Sequence, residues 1–235
     1  MVISYEGLMG SAKTTSAIAF AKREKEEFGK KIISNVHLNM DYTHFSLEFF
    51  LEHIADEELS DCVLILDEMY QIADSRSSAT KLNKLFSYFT VQTRKRGVDL
   101  YICTHHIDHI DLRLRRAVDI RGSCRYYPEI PCKDCRCRTC GGTGKIGGVP
   151  CTNCKGIGGT GVGKDGNQCK RCLGYGINGY AVVNFLDRRL RRRYTSNDIL
   201  GGPIHAPEIW PIFDTRERIG IQQTIITGID TKEVV

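Results

Sequence analysis

The chain has 235 residues, 41% of them hydrophobic and 26% charged, with a net charge of +5 at neutral pH. That is enough for one full-sized domain plus a small module, and too apolar for a disordered chain. No run of about 18 apolar residues is present, which argues against a membrane-spanning helix, and the first residues carry no secretory pattern. In chain order, residues 2–5 read as a short apolar strand and residues 14–28 as a helix. That helix has Ala17, Ile18, Ala21 and Phe28 on its inner face and KREKEE outside. Strand-like β-branched residues follow at 31–38, a helix at 45–54 and a continuous apolar strand at 62–66. A second amphipathic helix is expected over 80–93, and strands over 99–103, 118–127 and 180–186. Strand alternates with helix, so the fold class is α/β, a mostly parallel sheet with helices on both faces.

The segment Gly7-Leu8-Met9-Gly10-Ser11-Ala12-Lys13-Thr14-Thr15 joins the first strand to the first helix. It resembles the Walker A loop of P-loop NTPases, with Ala12 where the last glycine usually stands. The chemistry requires a tight turn whose N–H groups face a phosphate chain, a lysine on the outer phosphates and a hydroxyl on Mg2+. The helix that follows presents its N-terminus to the same anion. The expected nucleotide-binding residues are therefore Gly7, Gly10, Ser11, Ala12, Lys13, Thr14 and Thr15. The buried strand CVLIL ends in Asp67-Glu68, where an open α/β sheet places its ligand. Asp67 suits magnesium held through water, and Glu68 suits a general base acting on the attacking water. This acidic pair, with no Asn-Lys-x-Asp guanine-reading motif in the chain, favours ATP. Thr104 and His105 end another strand and are candidate contacts to the γ-phosphate or to water. In Thr93-Arg94-Lys95-Arg96-Gly97, Arg94 first and Arg96 second are candidate arginine fingers, acting in a neighbouring subunit's site. A zinc site from His105, His106 and His109 lacks a fourth ligand.

The order of these motifs resembles the FtsK–HerA superfamily, and within it the Zot-like and viral genome-packaging branch. GLMGSAKTT, IISNVHL, VLILDE and RKRGVDLYICTHH carry the resemblance. Arg94, Gly97 and Thr104 match the pattern, while His105 replaces its usual glutamine; the late PIFDTRE segment matches as well. The resemblance implies a RecA-like core, ring assembly, taken as a hexamer, and ATP-driven movement of DNA, with Glu68, Arg94, Thr104 and His105 as the candidate catalytic residues. A packaging motor in the host cytoplasm or the virion follows, with portal or coat protein as further partners. A Zot-like morphogenesis ATPase, or a chaperone-like adaptor switched by ATP, is the alternative.

Eight of the eleven cysteines form four Cys-x-x-Cys pairs: Cys132/Cys135, Cys137/Cys140, Cys151/Cys154 and Cys169/Cys172. The last three repeat C-x-x-C-x-G-x-G. Without a secretory pattern, this spacing argues for two structural Zn2+ sites and against disulfides. The segment closely resembles the DnaJ-type zinc module. By that family's interleaved pairing, Cys132, Cys135, Cys169 and Cys172 hold one zinc, and Cys137, Cys140, Cys151 and Cys154 the other. The chain thus divides into a P-loop core (1–127), a zinc-binding insertion (128–179) and a segment completing the core (180–235). The insertion is expected to be an arm that touches DNA, a virion protein or a neighbouring subunit. The arginine run at 188–193 can track a phosphate backbone. Cys62, Cys103 and Cys124 fall in strands and read as core.

Overall fold

A computed structural model of the protein describes residues 1–68 and 81–213. The apolar opening forms β1 (Val2–Glu6), and the phosphate-loop segment leads into α1 (Lys13–Phe28). Next come β2 (Lys31–Ser34), β3 (Thr43–His44), α2 (Leu47–His53), β4 (Cys62–Leu66), α3 (Lys81–Gln92) and β5 (Asp99–Thr104). The chain continues through α4 (Leu112–Ala117), β6 (Ile120–Glu129), β7 (Lys145–Ile146) and β8 (Val149–Pro150). It ends, among the described residues, with β9 (Asn178–Asp187), β10 (Arg192–Thr195), α5 (Ser196–Leu200), β11 (Ile204–His205) and α6 (Ala206–Ile209). Residues 214–217, the end of the PIFDTRE segment, lie outside the described residues.

The main sheet runs β10-β9-β6-β1-β5-β4-β2-β3, with β11 also on β9. β6, β1, β5, β4, β2 and β3 are mutually parallel; β9, β10 and β11 are antiparallel additions. This is the expected mostly parallel α/β sheet with RecA-like order. β5 lies between β1 and β4, so the C-terminal tips of all three strands stand side by side. Those tips carry the phosphate loop, Thr104–His105 and Asp67–Glu68.

Alternating side chains give the sheet two cores. Ile3, Tyr5, Val63, Ile65, Tyr101 and Cys103 pack against Ala17, Ile18, Phe20 and Ala21 of α1. Val2, Leu64, Leu66, Leu100 and Ile102 pack on the other face against Phe50, Phe86, Phe89 and Leu114. Cys62 joins the second core and Cys124 the first; burial pushes each of these two thiols up to about 12. Phe28 corrects the expected helix face. It is the last residue of α1 and 65% exposed, and Phe20 takes the inner position. The outer face of α1 is laced by Lys22–Glu26 and Arg23–Glu27 pairs, and Gly29 closes the helix in the left-handed region, φ 68°, its N–H donating to Lys25 O. The expected strand at 31–38 stops at Ser34, because Ser34 Oγ accepts from the Val36 amide and the chain turns out at Asn35.

β6 pairs with β1 only up to Ser123, yet its ladder with β9 continues to Glu129↔Asn178. Past Ser123 the β6–β9 hairpin therefore runs on beyond β1 at the phosphate end for about 20 Å, with β11 on its β9 edge and Cys124, Ala181 and Val183 still in the first core. The cysteine segment caps this hairpin. Its base is tied down by Glu129, which accepts two hydrogen bonds from Arg171 (2.7 and 3.0 Å) and one from Asn178 (3.0 Å). Arg171 is the main cause that lowers the Glu129 carboxyl to about 2. Asn178 and the Arg171 carbonyl both contact His205 Nε2, and Tyr175 meets Trp210 edge-on.

The opposite end of the same hairpin carries the arginine run. Arg188 donates to the Arg115 and Val118 carbonyls and Arg189 pairs with Asp119, so these two fasten the turn. Arg191, Arg192 and Arg193 are exposed. All five arginines are exposed, at the end of the sheet away from the phosphate loop, and Arg188 and Arg189 also brace the turn.

Candidate functional site at the strand tips and two tetrathiolate groups

The loop after β1 turns through Gly7 (φ 152°) and Gly10 (φ 76°). A Cβ on Gly7 would meet Ser11 Oγ at 2.5 Å and the Cys124 carbonyl at 3.1 Å, so β6 passes close behind the loop and only glycine fits. Ala12 takes φ 65°, the left-handed conformation a glycine adopts freely, at about 1–2 kcal/mol. The loop thus keeps its path despite the departure from the usual motif. No side chain caps α1, so its first N–H groups point into the loop.

Lys13 is 7% exposed and bends back over the loop, donating to the Gly7 and Leu8 carbonyls at 3.1 Å each. Its Nζ lies 3.5 Å from His105 Nδ1. His105 Nε2 in turn stands 3.7 Å from Glu68 Oε1. The imidazole therefore bridges the lysine and the acid. Thr14 Oγ1 donates to Asp67 Oδ2 at 2.6 Å, and the Glu68 amide donates to Asp67 Oδ1 at 2.9 Å. Burial is the main cause that raises the Asp67 pKa, with Thr14 pulling against it. Two hard oxygens, a hydroxyl and a buried carboxylate, suit Mg2+. Glu68 sits at φ 51°, and its Oε2 is buried with no hydrogen-bond partner. That oxygen is the acceptor position of Glu68 left open at the strand tips.

Asn35 is a residue the sequence reading did not place in the site. Its Nδ2 donates to the Asp67 carbonyl at 2.9 Å and its Oδ1 accepts from the Asp67 amide at 2.8 Å, fixing the backbone that aims both acids. Its sequence-level signal is its place in IISNVHL, one of the segments that carry the family resemblance. Asn35→Ala leaves two buried backbone groups unpaired and is expected to lower stability by about 1–3 kcal/mol, read as a shift in urea midpoint.

The structure brings Lys13, Thr14, Asp67, Glu68 and His105 together. Thr104 is fully buried and donates to the His106 carbonyl at 3.2 Å; no hydrogen bond joins it to Lys13, Asp67 or Glu68 among the described residues. It braces the turn that presents His105. Arg94 is exposed in the turn between α3 and β5, at the far end of β5 from Thr104, a strand length of about 17 Å. Arg96 is half-buried over the Phe89 ring, so Arg94 is the freer of the two candidate fingers. Histidines 105, 106 and 109 form no metal group among the described residues; the two groups found there are both all-cysteine.

Those two groups are Cys132, Cys135, Cys169 and Cys172, and Cys137, Cys140, Cys151 and Cys154, with all sulfurs of a group within 4.8 Å of one another. The groupings coincide with the interleaved pairing. Zn–S bonds of about 2.3 Å put tetrahedral sulfurs about 3.8 Å apart, and the sulfurs across each group stand at 3.5 to 4.0 Å. The donor set therefore fits two closed zinc sites. Gly144, Gly158 and Gly176 each donate an amide to the sulfur four residues earlier at 3.3 Å, which favours the thiolate. The Cys140 amide is the main cause that brings the Cys137 thiol down to about 6. Glycines also let neighbouring loops touch: a Cβ on Gly144 would strike the Gly156 carbonyl, and one on Gly159 the Gly176 carbonyl.

The sequence model of the zonular occludens toxin (Zot) family matches residues 1–130, more than half of the chain. The chain belongs to the Zot family. The matched span holds the complete strand-tip site and stops at the base of the arm, so the tetrathiolate module lies outside it. Among solved structures, the N-terminal domain of zonular occludens toxin from Neisseria meningitidis is 20% identical. It has a TM-score of 0.45 and covers 52% of this Zot-family chain and 75% of its own. B204, described as the DNA-packaging ATPase of Sulfolobus turreted icosahedral virus, is 11% identical at a TM-score of 0.47, over 83% of this chain and 95% of its own. No curated protein matches the chain with significance. No helix among the described residues is long and apolar enough to cross a membrane.

Proposed function

We propose that this Zot-family protein hydrolyses ATP and uses the energy to move DNA, as a genome-packaging motor built from a ring of copies. The observation that carries the ATPase reading is the meeting of Lys13, Thr14, Asp67, Glu68 and His105 at the uncapped start of α1. In this reading the α1 amides and Lys13 bind the phosphates, Thr14 and Asp67 hold Mg2+, and Glu68 takes the proton of the attacking water. Mg2+ held there would neutralise charge on the outer phosphates. His105 orients Glu68 and senses the outer phosphate through Lys13. Residues 1–127, completed from residue 180 onward, form the motor core, and 128–179 hold two structural zinc ions. The DNA reading rests on the motif order from Arg94 through Gly97 to Thr104 and on the positive surplus of the chain.

Arg94 lies at the sheet end away from its own Lys13, which suits action on a neighbour's nucleotide. The test is ATP turnover by zinc-loaded protein with and without DNA, combined with mixing. Arg94→Ala is expected to slow turnover about a thousandfold. Adding Lys13→Ala chains, which retain Arg94, should restore part of it, since each variant supplies what the other lacks. Turnover that ignores DNA and rises with unfolded protein would favour the adaptor alternative.

A further inference from the structure

The cysteine module carries a feature that neither the zinc sites nor the strand-tip site uses. A cleft of about 950 Å3 opens along it, bordered by Cys135 of one tetrathiolate group and Cys137 of the other. Lys133, Arg136, Arg138 and Lys164 line it, with Asp134 as the one acid. Arg136 is fixed in place, its Nε donating to the Gly141 carbonyl at 2.9 Å. Lys133, 3.3 Å from Glu129, remains 76% exposed, and Arg138 and Lys164 are exposed. Asn153 and Thr160 add neutral polar groups, and Val162 is the one large apolar side chain in the lining.

Charge alone does not explain these cations as partners for the metal sites. Between positions 130 and 177 the chain has eight Lys and Arg against two Asp. Each zinc tetrathiolate carries a formal charge of −2, so the loaded module still holds a surplus of two positive charges. The cations converge on one concave surface, and that surface is nearly free of the apolar lining that capture of unfolded protein requires. Two guanidinium forks, two ammonium groups and hydrogen-bonding amide and hydroxyl groups are the chemistry that grips phosphates. The module that bears the cleft caps the hairpin that runs on past β1 at the phosphate-loop end of the sheet.

We infer that the cleft ringed by Lys133, Arg136, Arg138 and Lys164 grips the phosphodiester backbone of a nucleic acid, making the metal-bound arm a DNA-holding element. The inference deepens the motor reading and rests on it for its biological meaning. The binding itself is separately measurable.

The experiment compares the full-length zinc-loaded protein with a Lys133→Gln, Arg138→Gln, Lys164→Gln variant. Arg136 is left intact because it also braces the Gly141 turn. Fluorescence anisotropy with a labelled single strand and with its duplex is followed across salt concentration. The variant is expected to bind at least about tenfold more weakly, and the slope of log affinity against log salt to shrink by roughly 2 to 3 as three phosphate contacts disappear. The single-strand and duplex arms decide which form the cleft holds. Zinc content and thermal transition show that the variant is folded, and the charge-keeping set Lys133→Arg, Arg138→Lys, Lys164→Arg should rescue binding. Wild-type binding and salt slope in the folded neutral variant would overturn the proposal. So would tighter binding of poly-glutamate than of DNA at this cleft, which would make the partner an acidic protein. Intact DNA binding with turnover indifferent to DNA would sink the motor reading and leave the cleft standing.

Discussion

Glu68→Gln is expected to bind ATP about as tightly as the unaltered protein and to hydrolyse it at least about a hundredfold more slowly. The amide keeps the size of the side chain and can still meet His105. In the proposed mechanism it has lost the basic oxygen that takes the proton from water, a contribution of about 10²–10⁴ in rate. The Glu68 backbone is held at φ 51° by its amide's bond to Asp67, so the substitution does not move the loop. Nucleotide affinity by fluorescence titration and phosphate release on one preparation separate binding from chemistry. Turnover within a few-fold of the unaltered protein would remove Glu68 from the base role and leave His105 as the nearest other proton acceptor.

Metal removal is expected to unfold the module outright. Between β6 and β9 the buried clusters are the two groups of cysteines, with no aliphatic or aromatic core beside them. What holds the segment is coordination, with an apparent worth of about 10–16 kcal/mol for a structural zinc, far more than so few apolar contacts can supply. Cys154→Ser should cut zinc from two ions per chain to one and open the second group's loops to protease. Cys172→Ser should do more, because its group includes Cys132 and Cys169 at the neck of the arm, next to Glu129 and Arg171. Protease mapping by mass spectrometry with zinc counted by atomic emission checks both. A metal-free chain whose 130–177 segment resists protease would show that something other than coordination holds it.

The parts of this molecule legible in its sequence are those whose partners are near in sequence. The strand–loop–helix around Lys13 spans fewer than thirty residues, and each Cys-x-x-Cys pair announces its metal by spacing alone. Long-range geometry was less visible. The Asn35–Asp67 clamp joins residues 32 positions apart and exists only because β2 lies beside β4. Glu6 and Arg121, a bidentate pair at 2.6 and 2.8 Å next to the loop, are 115 positions apart. The strand expected to end at 127 is longer. The structure continues it to Glu129, opposite Gly179 and Asn178, because past Ser123 only one edge of β6 is paired and a proline there displaces no second neighbour. Phe28 misled through periodicity: the amphipathic repeat continues to the helix end, but the sheet beneath it does not.

The hairpin from β6 to β9 has a mechanical consequence. Its inner half is hydrogen-bonded to the strand that bears the phosphate loop, and past Ser123 it stays anchored through Cys124, Ala181 and Val183 in the first core, through β11 on β9, and through Glu129, Arg171 and His205. A load on the cysteine module is therefore carried down one continuous antiparallel ladder into the strand beside the phosphate loop. In the proposed motor, this ladder would be the route by which a pull on the arm reaches the nucleotide.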